Sequence, residues 1–248
     1  MKDVLALIEI KKQELEQLPL LKFMQDESLE PLQRLSFAPC LTPFAMNFGD
    51  LNKYVLRQEP TNSRVQEIIN IHTYEDDHHW IWFLEDMKRL GLDRAIKFSD
   101  SMKFMWSDET HKTRLVCHKI GLLYTFNIDP LLRLAISESI EATGHVILFR
   151  TAQIAKELTK VTNQKYIYFG QEHYDLETGH MQGTDDIEQF ITSLELPDEI
   201  REQAFTLVHQ VFAIFTDMFE ECMEYVKNHT LDQPFAKAKK VHQALHVA

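Results

Sequence analysis

Residues 129–160 read DPLLRLAISESIEATGHVILFRTAQIAKELTK. Asp129 followed by Pro130 has the form of a helix N-cap with a proline in the first turn, where the missing backbone N–H has no intrahelical partner to lose. Behind them apolar residues recur at spacings of three and four, the period of an α-helix, so one long helix is expected. Its first half carries two acids, Glu138 and Glu141, and from Val146 it turns apolar. The same period runs through most of the chain and predicts further helices at about 3–17, 27–37, 42–57, 62–90, 92–105, 110–126, 164–180, 185–193 and 197–228. Pro60 ahead of Thr61, Asn62 and Ser63, Gly91 behind Arg89 and Leu90, and Pro197 punctuate them. Seven glycines in 248 residues are too few for a turn-rich β fold, so the chain reads as all-α. No internal repeat, low-complexity linker or composition shift divides it, and a single domain over 1–248 is expected. The basic stretch 230–248, with Lys237, Lys239 and Lys240, reads as peripheral.

A hydrophobic content of 44% is enough to bury a substantial core without staples. Lys and Arg total 26 against 38 Asp and Glu, a net charge of −12, which argues against nucleic acid or an anionic membrane as partner. Cys40, Cys117 and Cys222 are far apart and form no C-x-x-C pair, so neither a disulfide framework nor a thiolate metal site is expected. The N-terminal stretch MKDVLALIEIKKQELEQL lacks the apolar core and cleavage site of a signal peptide, and no apolar run approaches the roughly 20 residues that span a bilayer. A soluble, cytoplasmic protein with a small-molecule partner follows. The oligomeric state stays open, a homodimer included.

Three segments carry the chemistry. In GQEHYDLETGHMQG (170–183), His173, Glu177 and His180 stand at i, i+4 and i+7, within about 60° of one another on a helix. Two imidazoles and a carboxylate suit iron, manganese or zinc, and none of them is stable in a core without a partner. In INIHTYEDDHHWIWFLEDMKRLG (69–91), His72, Glu75 and His79 share one face of a continuous helix, with Asp76 at its margin, immediately before an apolar run. In AISESIEATGHVILF (135–149), Glu138 or Glu141 can point inward, and Ala142, Thr143 and Gly144 leave open space beside them. Carboxylates and histidines on three separate helices, each next to apolar sequence, are how a helical bundle builds a dimetal site. Tyr74, Trp80, Trp82, Phe149 and Tyr174 are candidate aromatics around it.

Together these residues resemble the heme-oxygenase-like di-metal oxidases and oxygenases, fold relatives of heme oxygenase and thiaminase II. The family's late motif His-x3-Asp-x2-His is similar to His173-x3-Glu177-x2-His180, with Glu in place of Asp. Glu138 and Glu141 both fit its earlier glutamate, and Glu75 with His79 fits its first-helix pair. Where some members have Glu-x6-His, this chain has His72-x6-His79. The resemblance implies a heme-oxygenase-like multi-helix bundle with nonheme iron, two ions, and O2 as co-substrate. Manganese is the alternative metal, and heme is not implied. The implied ligands are Glu75, His79, Glu141, His173, Glu177 and His180, with His72 and Glu138 as alternates. The implied substrates are amines, amino-acid-derived compounds or fatty-acid-like molecules.

Three other readings compete. A ferritin-like site would use Glu75-x2-His78 and Glu177-x2-His180, but needs four long unbroken helices. A nonenzymatic protein binding a metal or small molecule needs only the loss of one ligand. A hydrolase would need an activated thiol, for which Cys117 beside His118 is the candidate.

Overall fold

The structure is a computed structural model and describes residues 1–182 and 185–235, the side chains of residues 179–182 and 185 excepted. It is an all-α multi-helix fold with no β-strand among the described residues. The helices are α1 (Lys2–Leu15), α2 (Pro19–Met24), α3 (Pro31–Arg34), α4 (Ala38–Leu51), α5 (Arg64–Asp76), α6 (His79–Arg89), α7 (Phe98–Met105), α8 (His111–Phe126), α9 (Pro130–Thr162), α10 (Gln171–Gln182), α11 (Asp185–Ser193) and α12 (Asp198–Asn228). A π-helical turn, Asn52–Leu56, continues α4, and a 3-10 turn, Asp108–Thr110, leads into α8. None of these helices is long and apolar enough to cross a membrane.

α9 is the spine, 33 residues long. Asp129 caps it, its Oδ1 accepting from Leu131 N at 2.8 Å, with Pro130 in the first turn. It ends at Asn163, whose φ of 55° is a left-handed stop that asparagine tolerates. α12, α10 and α1 pack along it, and α4 and α8 close the bundle against α12. α12 supplies a continuous stripe, Leu207, Val208, Val211, Phe212, Phe215, Met218, Phe219 and Cys222, all buried at helical spacing. After α12 the chain turns back, with Phe235 against Phe104 at 5.2 Å between ring centres, and residues 236–248 of the basic tail lie outside the described residues.

Three expectations about helices are corrected. Periodicity gives no sign of α2, because Pro19 opens a helix too short to show a period. The helix expected from 164 begins at Gln171, and residues 163–170 form a tight connection instead. Gly170 is required there, since a Cβ on it would lie 1.9 Å from the Tyr166 carbonyl oxygen.

The third correction matters most for the site. The helix expected over 62–90 is two helices, broken at Asp77 and His78, so His72, Glu75 and His79 do not lie along one continuous face. Arg57, arriving from the π-helical turn, takes the end of α5. Its Nη2 donates to the Thr73 carbonyl at 2.6 Å and to Asp77 Oδ2 at 2.7 Å, and its Nε donates to Thr73 Oγ1 at 3.0 Å. A guanidinium at a helix C-terminus satisfies an orphan carbonyl and complements the helix dipole. The 52–60 connection that delivers Arg57 is itself held by buried polar groups. Gln66 Nε2 donates to the Leu56 carbonyl and Tyr124 donates its hydroxyl to the same oxygen, while Asn70 Nδ2 donates to the Gln58 carbonyl. At the break α4 comes so close that a Cβ on Gly49 would lie 2.7 Å from the Asp77 carbonyl oxygen.

Gly49→Ala therefore forces backbone against backbone. The expected cost is about 1–3 kcal/mol, typical of overpacking, read as a lowered Tm in thermal unfolding. An unchanged Tm would show that the α5–α6 break does not depend on this approach.

Candidate metal centre

The break turns His79 inward at the start of α6, where it meets α10. His79, His173 and Glu177 are all buried, and one ligand atom from each lies within 4.8 Å of the others, so the three can hold a metal ion. His79 Nδ1 is 3.7 Å from Glu177 Oε1, and His173 Nε2 is 3.2 Å from the same oxygen. The two imidazoles meet edge to face with centres 4.4 Å apart, and Trp82 stacks on His79 at 4.4 Å.

Two further carboxyl groups face this trio. Asp76, the last residue of α5, is buried, its Oδ1 3.5 Å from His79 Nδ1. Glu141 enters from α9 and is 8% exposed. Burial pushes the Asp76 and Glu141 carboxyls well above the usual carboxylate range, and repulsion from Glu177 adds to it. Burial pushes Glu177 the same way, but its hydrogen bond to His173 and the Glu141 hydrogen bond outweigh that, and Glu177 ends below its ordinary range. Without a cation the cluster is thus centred on Glu177, which accepts hydrogen bonds from its neighbours.

The histidine geometry favours a cation at the same point. His173 Nδ1 lies 2.8 Å from the Tyr168 carbonyl oxygen, which only accepts, so Nδ1 carries the proton. In the neutral ring Nε2 then presents a lone pair to a carboxylate oxygen 3.2 Å away. Two acceptors aimed at one another require a proton or a metal ion between them, and fixing the ring through its other nitrogen is the usual support for a metal-bound histidine.

These groups line one end of a cavity of about 80 Å³, whose remaining wall is Leu41, Phe44, Ala45 and Phe48 from α4, Ile140, Ile147 and Leu148 from α9, and Phe215, Met218 and Phe219 from α12. Thr143 and Thr151 also line it, but their hydroxyls donate to Ile140 and Leu148 carbonyls of their own helix. Gly144 faces open space, and a Cβ placed on it would have nothing within 4 Å. Tyr168 joins the wall beside His173, and the rest of it is apolar.

Of the residues expected from sequence, His79, Glu141, His173 and Glu177 converge. Glu138 and His72 line a different cavity of about 280 Å³, beside Glu9 and Lys12 of α1, and Glu141 reaches the wall of both. Burial raises the Glu138 carboxyl to about 7. Glu75 is half-buried and adds its charge to the repulsion on Asp76. The His180 side chain lies outside the described residues. The sequence places Asp76 only at the margin, because a continuous helix would turn it aside. Sequence reasoning misses Tyr168 altogether, since the spacing of the 163–170 connection carries no helical signal. Of the aromatics expected from sequence, Trp82 stacks on the centre. Tyr74 is exposed beneath Arg57, and Phe149 and Tyr174 pair with each other at 5.6 Å. His78 is exposed, which removes one half of the ferritin-like pairing. Burial pushes the Cys117 thiol up to about 12 while His118 is exposed, so the pair is no activated nucleophile.

No protein-family model matches the chain, and a comparison with curated proteins gives no match.

Burial and mutual repulsion favour the protonated forms of Asp76 and Glu141, and a divalent cation in the cluster pulls both back toward ionisation. Binding is therefore expected to release protons and to strengthen as pH rises. Calorimetric titration with Co(II) in two buffers of different ionisation enthalpy measures the release. Identical apparent enthalpies, meaning no protons released, would contradict the arrangement of carboxyls described here.

Proposed function

We propose that the chain is a nonheme iron oxidase or oxygenase of the heme-oxygenase-like kind, acting on a small organic substrate with an apolar portion. The observation that carries this reading is an apolar cavity closed at one end by the histidine–carboxylate cluster. A mixed nitrogen and oxygen ligand set fits iron or manganese. Bound iron would supply the binding and reduction of O2, which no side chain can do.

The residues divide the remaining work. His79, His173 and Glu177 would hold the first ion, with Asp76 and Glu141 beside them to balance its charge. A second ion would draw on Glu141 together with Glu138, His72, Glu75 and His180. The α4, α9 and α12 walls would orient the apolar part of an amine, an amino-acid-derived compound or a fatty-acid-like molecule and exclude water from the reacting end. Once ionised, Asp76 can take a proton from a group bound at the polar end of the cavity.

Anaerobic reconstitution with Fe(II) followed by elemental analysis tests the metal. The native chain is expected to take up about two irons, as in other helical-bundle dimetal sites, and the His173→Ala, His180→Ala double variant far less. No specific uptake by the native chain would sink the proposal and leave a nonenzymatic small-molecule-binding protein. Gly144→Phe tests the cavity separately. Its Cβ enters open space and its ring takes up cavity volume, so iron content should hold while substrate-triggered O2 consumption falls by about tenfold or more, the effect of losing about 1.4 kcal/mol of binding or orientation. Native iron content with native turnover would mean that Gly144 does not border the substrate space.

A further inference from the structure

Asp86 is an acid with no exposed surface, and it belongs to none of the groups above. It sits on α6, two turns beyond His79. Its Oδ1 accepts from Ile167 N and its Oδ2 from Phe169 N, both at 3.1 Å, and Arg89 Nη1 donates to Oδ1 at 3.1 Å. The two amides it holds flank Tyr168, and it is the carbonyl of Tyr168 that accepts from His173 Nδ1 at 2.8 Å.

We infer that Asp86 is a positioning residue for the metal centre: by clamping the amides of Ile167 and Phe169 it aims the Tyr168 carbonyl at His173, and so sets which nitrogen of His173 faces the ion. The chain of contacts is short and each link is directional. A carboxylate buried in this way is costly unless its oxygens are occupied, and two backbone N–H groups with a guanidinium occupy them. The clamped segment has no helix or strand of its own to hold its carbonyls in place, since residues 163–170 connect α9 to α10. The same α6 that begins with His79 thus reaches across to orient the opposing histidine of the pair. Both imidazoles are then referenced to one rigid helix, which is what a ligand set needs to hold a fixed separation.

The geometry stands on the protein alone, but its functional consequence rests on the metal reading above. Asp86→Asn is nearly isosteric and replaces one acceptor oxygen with an N–H donor, so one of the two amides loses its partner. In the metal-free native protein, nitrogen-detected NMR of the imidazoles should show a proton on His173 Nδ1, hydrogen-bonded to the Tyr168 carbonyl. In Asp86→Asn a second population without a proton on Nδ1 should appear, and Co(II) affinity by chelator competition should fall about 10–100-fold, the usual effect of removing such outer support. Arg89→Ala keeps both amide bonds and should leave the His173 tautomer unchanged. A folded Asp86→Asn with native tautomer and native Co(II) affinity would reduce Asp86 to a purely structural residue. If that variant does not fold, the native chain still decides: the lack of a proton on His173 Nδ1, or rapid amide exchange at Ile167 and Phe169, overturns the inference. A tautomer shift without Co(II) binding in any form would uphold the positioning role and discard the metal reading.

Discussion

Asp76, Glu141 and Glu177 are carboxyl groups enclosed within an apolar helical interior and close enough to repel one another. Moving even one ionised carboxylate out of water costs several kcal/mol if it is left unpaired. Three can coexist only with protons or cations among them, and the two imidazoles supply at most part of that charge. The arrangement of charge in the site follows from this constraint. Glu177, bonded to His173, is held toward its ionised form, while Asp76 and Glu141 are pushed toward their protonated forms. A site with that distribution is in balance when protonated and better balanced when a divalent ion replaces the protons.

Such a cluster has to be held open against collapse, and the fold does this with elements that are each anchored outside it. Arg57 and the close approach of Gly49 stop α5 at Asp76, which frees α6 to start afresh with His79. Asp86, farther along α6, holds the connection that orients His173. α9 carries Glu141 on a helix whose length and capping owe nothing to the site. The apolar cavity runs from the cluster between α4, α9 and α12, and the hydroxyls of Thr143 and Thr151 are turned to their own backbone, so neither competes with the cluster for a bound polar group. A water-poor space beside a charged cluster strengthens every electrostatic interaction in it.

Much of this was legible in order along the chain. Asp129-Pro130 marks the start of α9, the scarcity of glycine excludes a β fold, and the i, i+4 pair His173 and Glu177 lies on one face because the helix period requires it. The choice between Glu138 and Glu141 was not legible: three residues apart on one helix, both are flanked by apolar sequence, and only the packing of the helices around them brings Glu141 to the histidines and leaves Glu138 in the cavity beside α1. The role of Asp76 was hidden for another reason. Periodicity assumes that a helix continues, and here a guanidinium from just beyond the Asn52–Leu56 turn ends it one residue after Asp76.

The sequence by itself determined the all-α class, the single long apolar spine and the residue types able to hold a cation, since local periodicity and side-chain chemistry are properties of short stretches. Only the tertiary structure decided which carboxyls face the histidines, where the expected 62–90 helix breaks, and that Tyr168 and Asp86 stand behind His173. Those outcomes depend on contacts between residues tens of positions apart, Arg57 with Asp77, Asp86 with Phe169 and His79 with Glu177, and no local pattern encodes which distant group arrives to complete a buried polar site.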